Sequence, residues 1–262
     1  MIRSMLCNRR NIEKIHEMWR ISIAFAKFQF AAKNEGTWLG VLWHFLTPFL
    51  MFVLLFFLFK DRLGTEIPLY PLYLIIGILL FNYFRAIANQ SVSIILRRGG
   101  LVKSIKFPTE CLILGIVFEV LLTHFFEIVV VIGFLLYFKV PITALLFYPV
   151  ILFFLTIFSI GFSLFLSAIR VYFFDLAHIW PYVATAMWFI TPIFYSAETK
   201  VFMLVNAFNP MFHFITVTRE VIVYARVPDP SMVFSLIGYS IASFLIGLLV
   251  FRKLKGKFAE FV

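Results

Sequence analysis

Charged residues are scarce in this chain. Lys, Arg, Asp and Glu make up 14% of its 262 residues, roughly half the share found in a soluble globular protein. A water-facing surface cannot be built from so few, and a disordered chain would show the opposite composition. Acids are scarcer than bases, 13 against 23, giving a formal charge of +10. Cysteine is nearly absent. Cys7 and Cys111 both fall in or beside segments expected on the cytoplasmic side, so reduced thiols are expected rather than a disulfide. No metal-ligand spacing of Cys and His occurs. Also missing are a GxxxxGK[ST] phosphate loop, a GxSxG elbow and an HExxH pair. A membrane-embedded enzyme is therefore disfavoured, because no nucleophile–base pair or metal set is visible. The chain is expected to bind no cofactor itself, and any ATP and Mg belong to another polypeptide.

Apolar and aromatic residues fill the space, at 63% of the chain, with 36 Phe among them. That much apolar surface needs lipid, so the expected fold is an all-α, polytopic integral membrane protein. Its excess of Lys and Arg then reads as positive-inside loops beside an anionic leaflet of membrane lipids, not as a nucleic-acid surface. Apolar tracts at 38–59, 69–91, 111–138, 142–169, 177–195 and 233–251 are each about long enough to cross the hydrocarbon layer. Residues 11–33 differ. Ile12, Ile15, Trp19, Ile23, Ala26 and Phe30 recur at spacings of three and four, as in an amphipathic helix lying in the membrane interface. Packing of that helix on a cytoplasmic domain is the alternative.

Residues 196–230 hold two short apolar pieces parted by Asn209-Pro210, which suit either a broken span or a re-entrant hairpin. Charge separates the two. Six spans put both termini and 17 of the 23 Lys and Arg on the cytoplasmic side; a seventh would place the basic tail outside. The expectation is six spans in one transmembrane domain, 1–262, with a re-entrant segment whose Asn209 and Pro210 face a cavity.

Glu119, Thr123 and Glu127 lie four apart on the third span, with His124 beside Glu127. An ionised group at mid-bilayer costs about 3 kcal/mol even on the lenient insertion scale, so the stripe should face other helices. It is either a proton or ion path or a set of interhelical hydrogen bonds. The basic segment 94–106, with Arg97, Arg98, Lys103 and Lys106, is either a solvated loop or a short helix presented to a cytoplasmic motor. Aromatic residues near span ends, including Trp38, Trp43, Tyr83 and Tyr195, suit interfacial belts or stacking on sugar rings.

Five strings in order give the chain a family likeness. They are Gly36-Thr37-Trp38-Leu39-Gly40-Val41-Leu42-Trp43 with Pro48, Gly77-Ile78-Leu79-Leu80-Phe81-Asn82-Tyr83-Phe84, and Leu101-Val102-Lys103-Ser104-Ile105-Lys106-Phe107-Pro108. Thr191-Pro192-Ile193-Phe194-Tyr195 and Asn209-Pro210 with Arg219 complete the set. Together they resemble permease subunits of type-2 ABC polysaccharide exporters, the class that moves O-antigen, capsule or teichoic-acid chains. The resemblance implies a homodimer in the cytoplasmic membrane bound to two copies of a separate ATPase. It implies that 94–106 is the coupling helix and 196–230 the outer gate, with Pro192, Asn209, Pro210 and Arg219 as gate residues. A polyprenyl-diphosphate-linked glycan is the implied substrate, met near the entrance and pore by Arg20, Lys27, Lys33, Trp38, Trp43 and Tyr195. Two departures stand out: Phe174 occupies the family's usual Arg position before Asp175, and 28–32 is less basic than is usual. A permease of the same architecture for drugs or lipids is the near rival. An ion-coupled carrier using Glu119, His124 and Glu127 is the distant one.

Overall fold

The computed structural model describes residues 2–36, 38–64, 66–104, 108–196 and 200–261, without the side chains of 2–12, 14, 15, 200 and 259. The described chain is helical with no strand: α1 (Ile2–Asn34), α2 (Leu42–Leu63), α3 (Tyr70–Ser91), α4 (Ile94–Arg97), α5 (Gly99–Ser104), α6 (Glu110–Tyr137), α7 (Tyr148–Tyr172), α8 (Leu176–Ile190), α9 (Lys200–Ala207), α10 (Pro210–Ile222), α11 (Pro230–Leu254) and α12 (Phe258–Phe261). It is an all-α integral membrane protein.

Burial divides the long helices by role. Within its most apolar window α3 is 78% buried, against 17% for α2 and for α11. α3 is thus the axis of the bundle, packed by α2, α6, α7 and α10. α2 shows Phe49, Leu50, Leu54, Phe57 and Leu58 to the outside, where only lipid or another chain can accept them.

Helix ends follow local chemistry. Asn209 and Asp229 each cap the helix that follows, accepting from Met211 N at 3.1 Å and Ser231 N at 2.9 Å, with Pro at the first helical position. Gly36 and Gly40 turn the chain from α1 into α2 with left-handed φ of 75° and 44°. α6 closes on a Schellman pattern: Val140 N donates to Leu135 O and Lys139 N to Leu136 O, with Lys139 at φ 56°.

Several boundaries differ from the sequence reading. The first span begins at Leu42, leaving Trp38 fully exposed in the preceding turn. The tract 177–195 is helical only to Ile190, fifteen residues or about 22 Å, because Pro192 holds Thr191 extended at ψ 131°. Among the described residues, then, five helices are long and apolar enough to cross a membrane, or six if the bent pair at 201–222 counts as one span. Within the expected segment 94–106, the described residues 94–104 form two short helices rather than one, broken at Arg98 before Gly99-Gly100. α1 lies along α6 through Ser22, Phe25 and Ala26, and of the expected stripe Trp19 and Phe30 set their rings against Phe118 and Phe126 of α6, while Trp19 and Ile23 keep about half of their surface exposed. Gly115 of α6 permits that approach; a Cβ there would run into Phe25.

The longest seam joins α7 to α11. Gly161 and Gly247 bring the two backbones into contact, and Ser240 and Ser243 donate across it to Phe154 O and Phe158 O, each at 2.9 Å. A Cβ on either glycine would strike the opposite backbone. Gly247→Leu is therefore expected to destabilise the fold by about 3 kcal/mol, with Gly247→Ala milder. Thermal unfolding in detergent checks this, and an unchanged midpoint for the leucine variant would contradict the seam.

Candidate functional site

Two polar assemblies sit at opposite ends of α3. At its C-terminal end, α1, α2, α3 and α6 enclose a cavity of about 390 Å³ reached by Lys33, Trp43, His44, Arg85, Thr123 and Glu127. Beside it, Glu119 has no solvent exposure, and its carboxylate accepts from Lys33 Nζ at 2.7 Å and Gln90 Nε2 at 3.0 Å. Lys33 comes from the end of α1, and its other side stays open to the cavity. One helical turn away, His124 bridges the Glu127 carboxylate, 2.8 Å from Nδ1, and the Tyr148 hydroxyl on Nε2. Tyr83 donates from its hydroxyl to Thr156 Oγ1 at 2.7 Å, since Thr156 itself donates to Leu152 O, and lays its ring against His124. The Glu119–Thr123–Glu127 stripe faces the protein interior, and each carboxylate has its own partner from another group.

At the N-terminal end of α3 lies a buried arginine. Arg219 of α10 donates from Nε and Nη2 to Tyr73 O (3.0 and 2.9 Å), from Nη1 to Pro192 O (2.8 Å) and from Nη2 to Ile193 O (2.8 Å). Its guanidinium sits 3.3 Å from the Tyr73 ring centroid. Gly77 makes room: a Cβ there would lie 2.6 Å from Arg219 Nη2. Asn209 joins the same group by donating to Thr191 Oγ1 at 2.9 Å. α9 and α10 are bent by 100° at this junction. Both ends of the pair meet the start of α3. Tyr195, against Phe202 of α9, accepts at its carbonyl from Tyr73, and Tyr224, just past α10, donates to Pro68 O. Burial is the main cause that pushes the Tyr224 phenol above its ordinary pKa, so it remains a neutral donor.

The expected residues divide between these places. Pro192, Asn209, Pro210 and Arg219 fall in one cluster, and Lys33 and Trp43 share the cavity. Arg20 and Lys27 lie exposed along α1, away from it. Tyr195 is at the far end of α3, its hydroxyl bonded to Phe189 O and Ile190 O. Arg97 donates to Gln90 O at 2.7 Å and Arg98 sits over Phe25 and Phe28 of α1, which leaves Lys103 as an exposed cation of α5. Lys106 lies outside the described residues. Phe174, at the anomalous position, stacks on Arg170, 5.1 Å from ring to guanidinium carbon. Tyr73 and Gly77 were not legible as partners of Arg219, because nothing in their spacing points to a residue about 145 positions away.

The sequence pattern of the ABC-2 type transporter family matches residues 23–223, most of the chain, including Lys33, Glu119, Tyr73 and Arg219. The chain belongs to the ABC-2 type transporter family. Curated relatives agree along nearly the full length. An O-antigen export system permease protein RfbA from Myxococcus xanthus is 26% identical over 257 residues, covering 96% of this chain and 98% of that one. A protein of the same description from Klebsiella pneumoniae is 27% identical over 226 residues, covering 84% and 86%.

Proposed function

We propose that this ABC-2 type transporter is the permease subunit of an ATP-driven exporter of lipid-linked polysaccharide, of the O-antigen, capsule or teichoic-acid class. The observation that carries the reading is the end-to-end similarity to O-antigen export permeases. In this reading the chain lies in the cytoplasmic membrane with both termini inside and works as a homodimer. The bare apolar sides of α2 and α8 suit a second copy. Two copies of a separate ATPase hold ATP and Mg and press on α4–α5. The α9–α10 pair enters and leaves on the outer side as a re-entrant gate. Support for this comes from both of its ends meeting the start of α3, where a crossing span of that length would part them by about 30 Å. A polyprenyl-diphosphate head would approach the cavity holding Lys33 and Trp43, with Arg20 and Lys27 as exposed cations farther along α1.

The rival readings are met by one assay. Vesicles containing this chain and its co-purifying ATPase are expected to move lipid-linked glycan only with ATP, and not a hydrophobic drug. Glu127→Gln is expected to leave that ATP-driven export running. Transport driven by a proton gradient without an ATPase, and lost in Glu127→Gln, would instead support an ion-coupled carrier.

A further inference from the structure

A third cavity, larger than the one beside Glu119, lies in neither polar assembly. It is a groove of about 980 Å³ between the α1–α6 and α7–α11 pairs, on the side where α11 ends. Its walls are apolar, with Leu114 of α6, Leu164 of α7, and Phe244 and Leu248 of α11. Its mouth carries two acids and two bases, Glu17, Glu110, Arg252 and Lys255. From Lys255 back to Phe244 the helix rises about 16 Å, close to half of the ~30 Å hydrocarbon layer. The groove therefore has charge at headgroup level and hydrocarbon walls for the depth of one leaflet. Lys255 pairs with Glu110 at 2.6 Å through Oε1, while Glu110 Oε2 is buried with no partner among the described residues. A desolvated carboxylate oxygen without a donor is costly.

We propose that this groove is a binding site for one phospholipid whose headgroup carries both a phosphate and a primary ammonium, as phosphatidylethanolamine does. The ammonium donates to the Glu110 carboxylate, which turns to present Oε2, and to Glu17; the phosphate accepts from Arg252 and Lys255, and an acyl chain lies along Leu164 and Phe244. A glycerol headgroup supplies no cation to the acids, and choline has no N–H to donate. The bound lipid ties the interfacial α1 to the α7–α11 seam. The leaflet, cytoplasmic here, rests on the topology proposed above; the site does not.

The test uses the full chain in phosphatidylcholine nanodiscs doped with phosphatidylethanolamine or phosphatidylglycerol, with lipid retention read by native mass spectrometry. A charge-assisted hydrogen bond predicts about tenfold preferential retention of phosphatidylethanolamine over either other lipid. Glu110→Gln and the exposed Glu17→Gln are each expected to shrink that preference. Arg252→Gln is expected to weaken retention of all three lipids. Equal retention of the three, or a preference indifferent to Glu17→Gln and Glu110→Gln, overturns the site. Neither ATP nor glycan takes part, so a failed export assay leaves the result standing, and the reverse holds.

Discussion

Replacing Arg219 by glutamine is expected to release the α9–α10 pair from α3. Four hydrogen bonds run from one guanidinium to three backbone carbonyls, and the stacking ring of Tyr73 adds a fifth contact. Hydrogen bonds to a charged group contribute about 1.5–3 kcal/mol each. They are not additive, and dehydrating the arginine offsets part of the gain. The loss in Arg219→Gln is therefore set at about 3 kcal/mol, or about 10 °C in Tm. The two N–H groups of a glutamine amide can serve at most two of the three carbonyls and leave the rest buried and unpaired. Arg219→Lys keeps the charge but not the planar fork, so it is expected to restore little. Hydrogen exchange across 210–222 supplies the local readout, rising in Arg219→Gln while α7 and α11 stay protected. If exchange rises uniformly, or Lys rescues fully, the arginine is not a directional tie between the pair and α3. Gly77→Leu, which crowds the same guanidinium from α3, is expected to copy the phenotype.

Charge reversal at Arg97, Arg98 and Lys103 together is expected to uncouple ATP hydrolysis from export while leaving the protein inserted. Like charges brought together at a docking surface cost about 3 kcal/mol, or about a hundredfold in partner affinity. The single variants separate the contributions. Lys103→Glu touches an exposed α5 side chain and should account for most of the loss of coupling. Arg97→Gln removes a donor to Gln90 O at the end of α3, and Arg98→Gln removes the cover over Phe25 and Phe28 of α1, so both should act on local stability first. Export per ATP hydrolysed, measured in the same vesicles, is the quantity to compare. An unchanged ratio in the triple variant would remove α4–α5 from the coupling role.

Much of the architecture was legible beforehand. Apolar tracts bounded by charge marked the long helices to within a few residues, and Asn209-Pro210 marked the bend between α9 and α10. The stripe of Glu119, Thr123 and Glu127 was rightly turned inward, since a carboxylate facing lipid is too costly. What helical spacing could not supply was the partner of each acid. Lys33 looked like an entrance base on an amphipathic helix, yet it reaches 86 positions along the chain to Glu119. Tyr195, grouped with Lys33 as an entrance or pore residue, lies at the other end of α3 from it. The fifth tract looked long enough because hydropathy averages over Thr191-Pro192, whereas the proline ends the helix at Ile190.

Taken alone, the order of amino acids determined that this chain partitions into a bilayer, which stretches become helices, and where they must stop or bend. Those outcomes depend on transfer from water and on neighbouring residues, both local properties. The tertiary structure alone decided which buried charge meets which donor, that α3 rather than α2 is the axis, and that Gly77 and Gly161 are spaces for another element. Inside hydrocarbon every polar group needs a protein partner, and those partners come from helices distant in sequence, so only the packed arrangement reveals them.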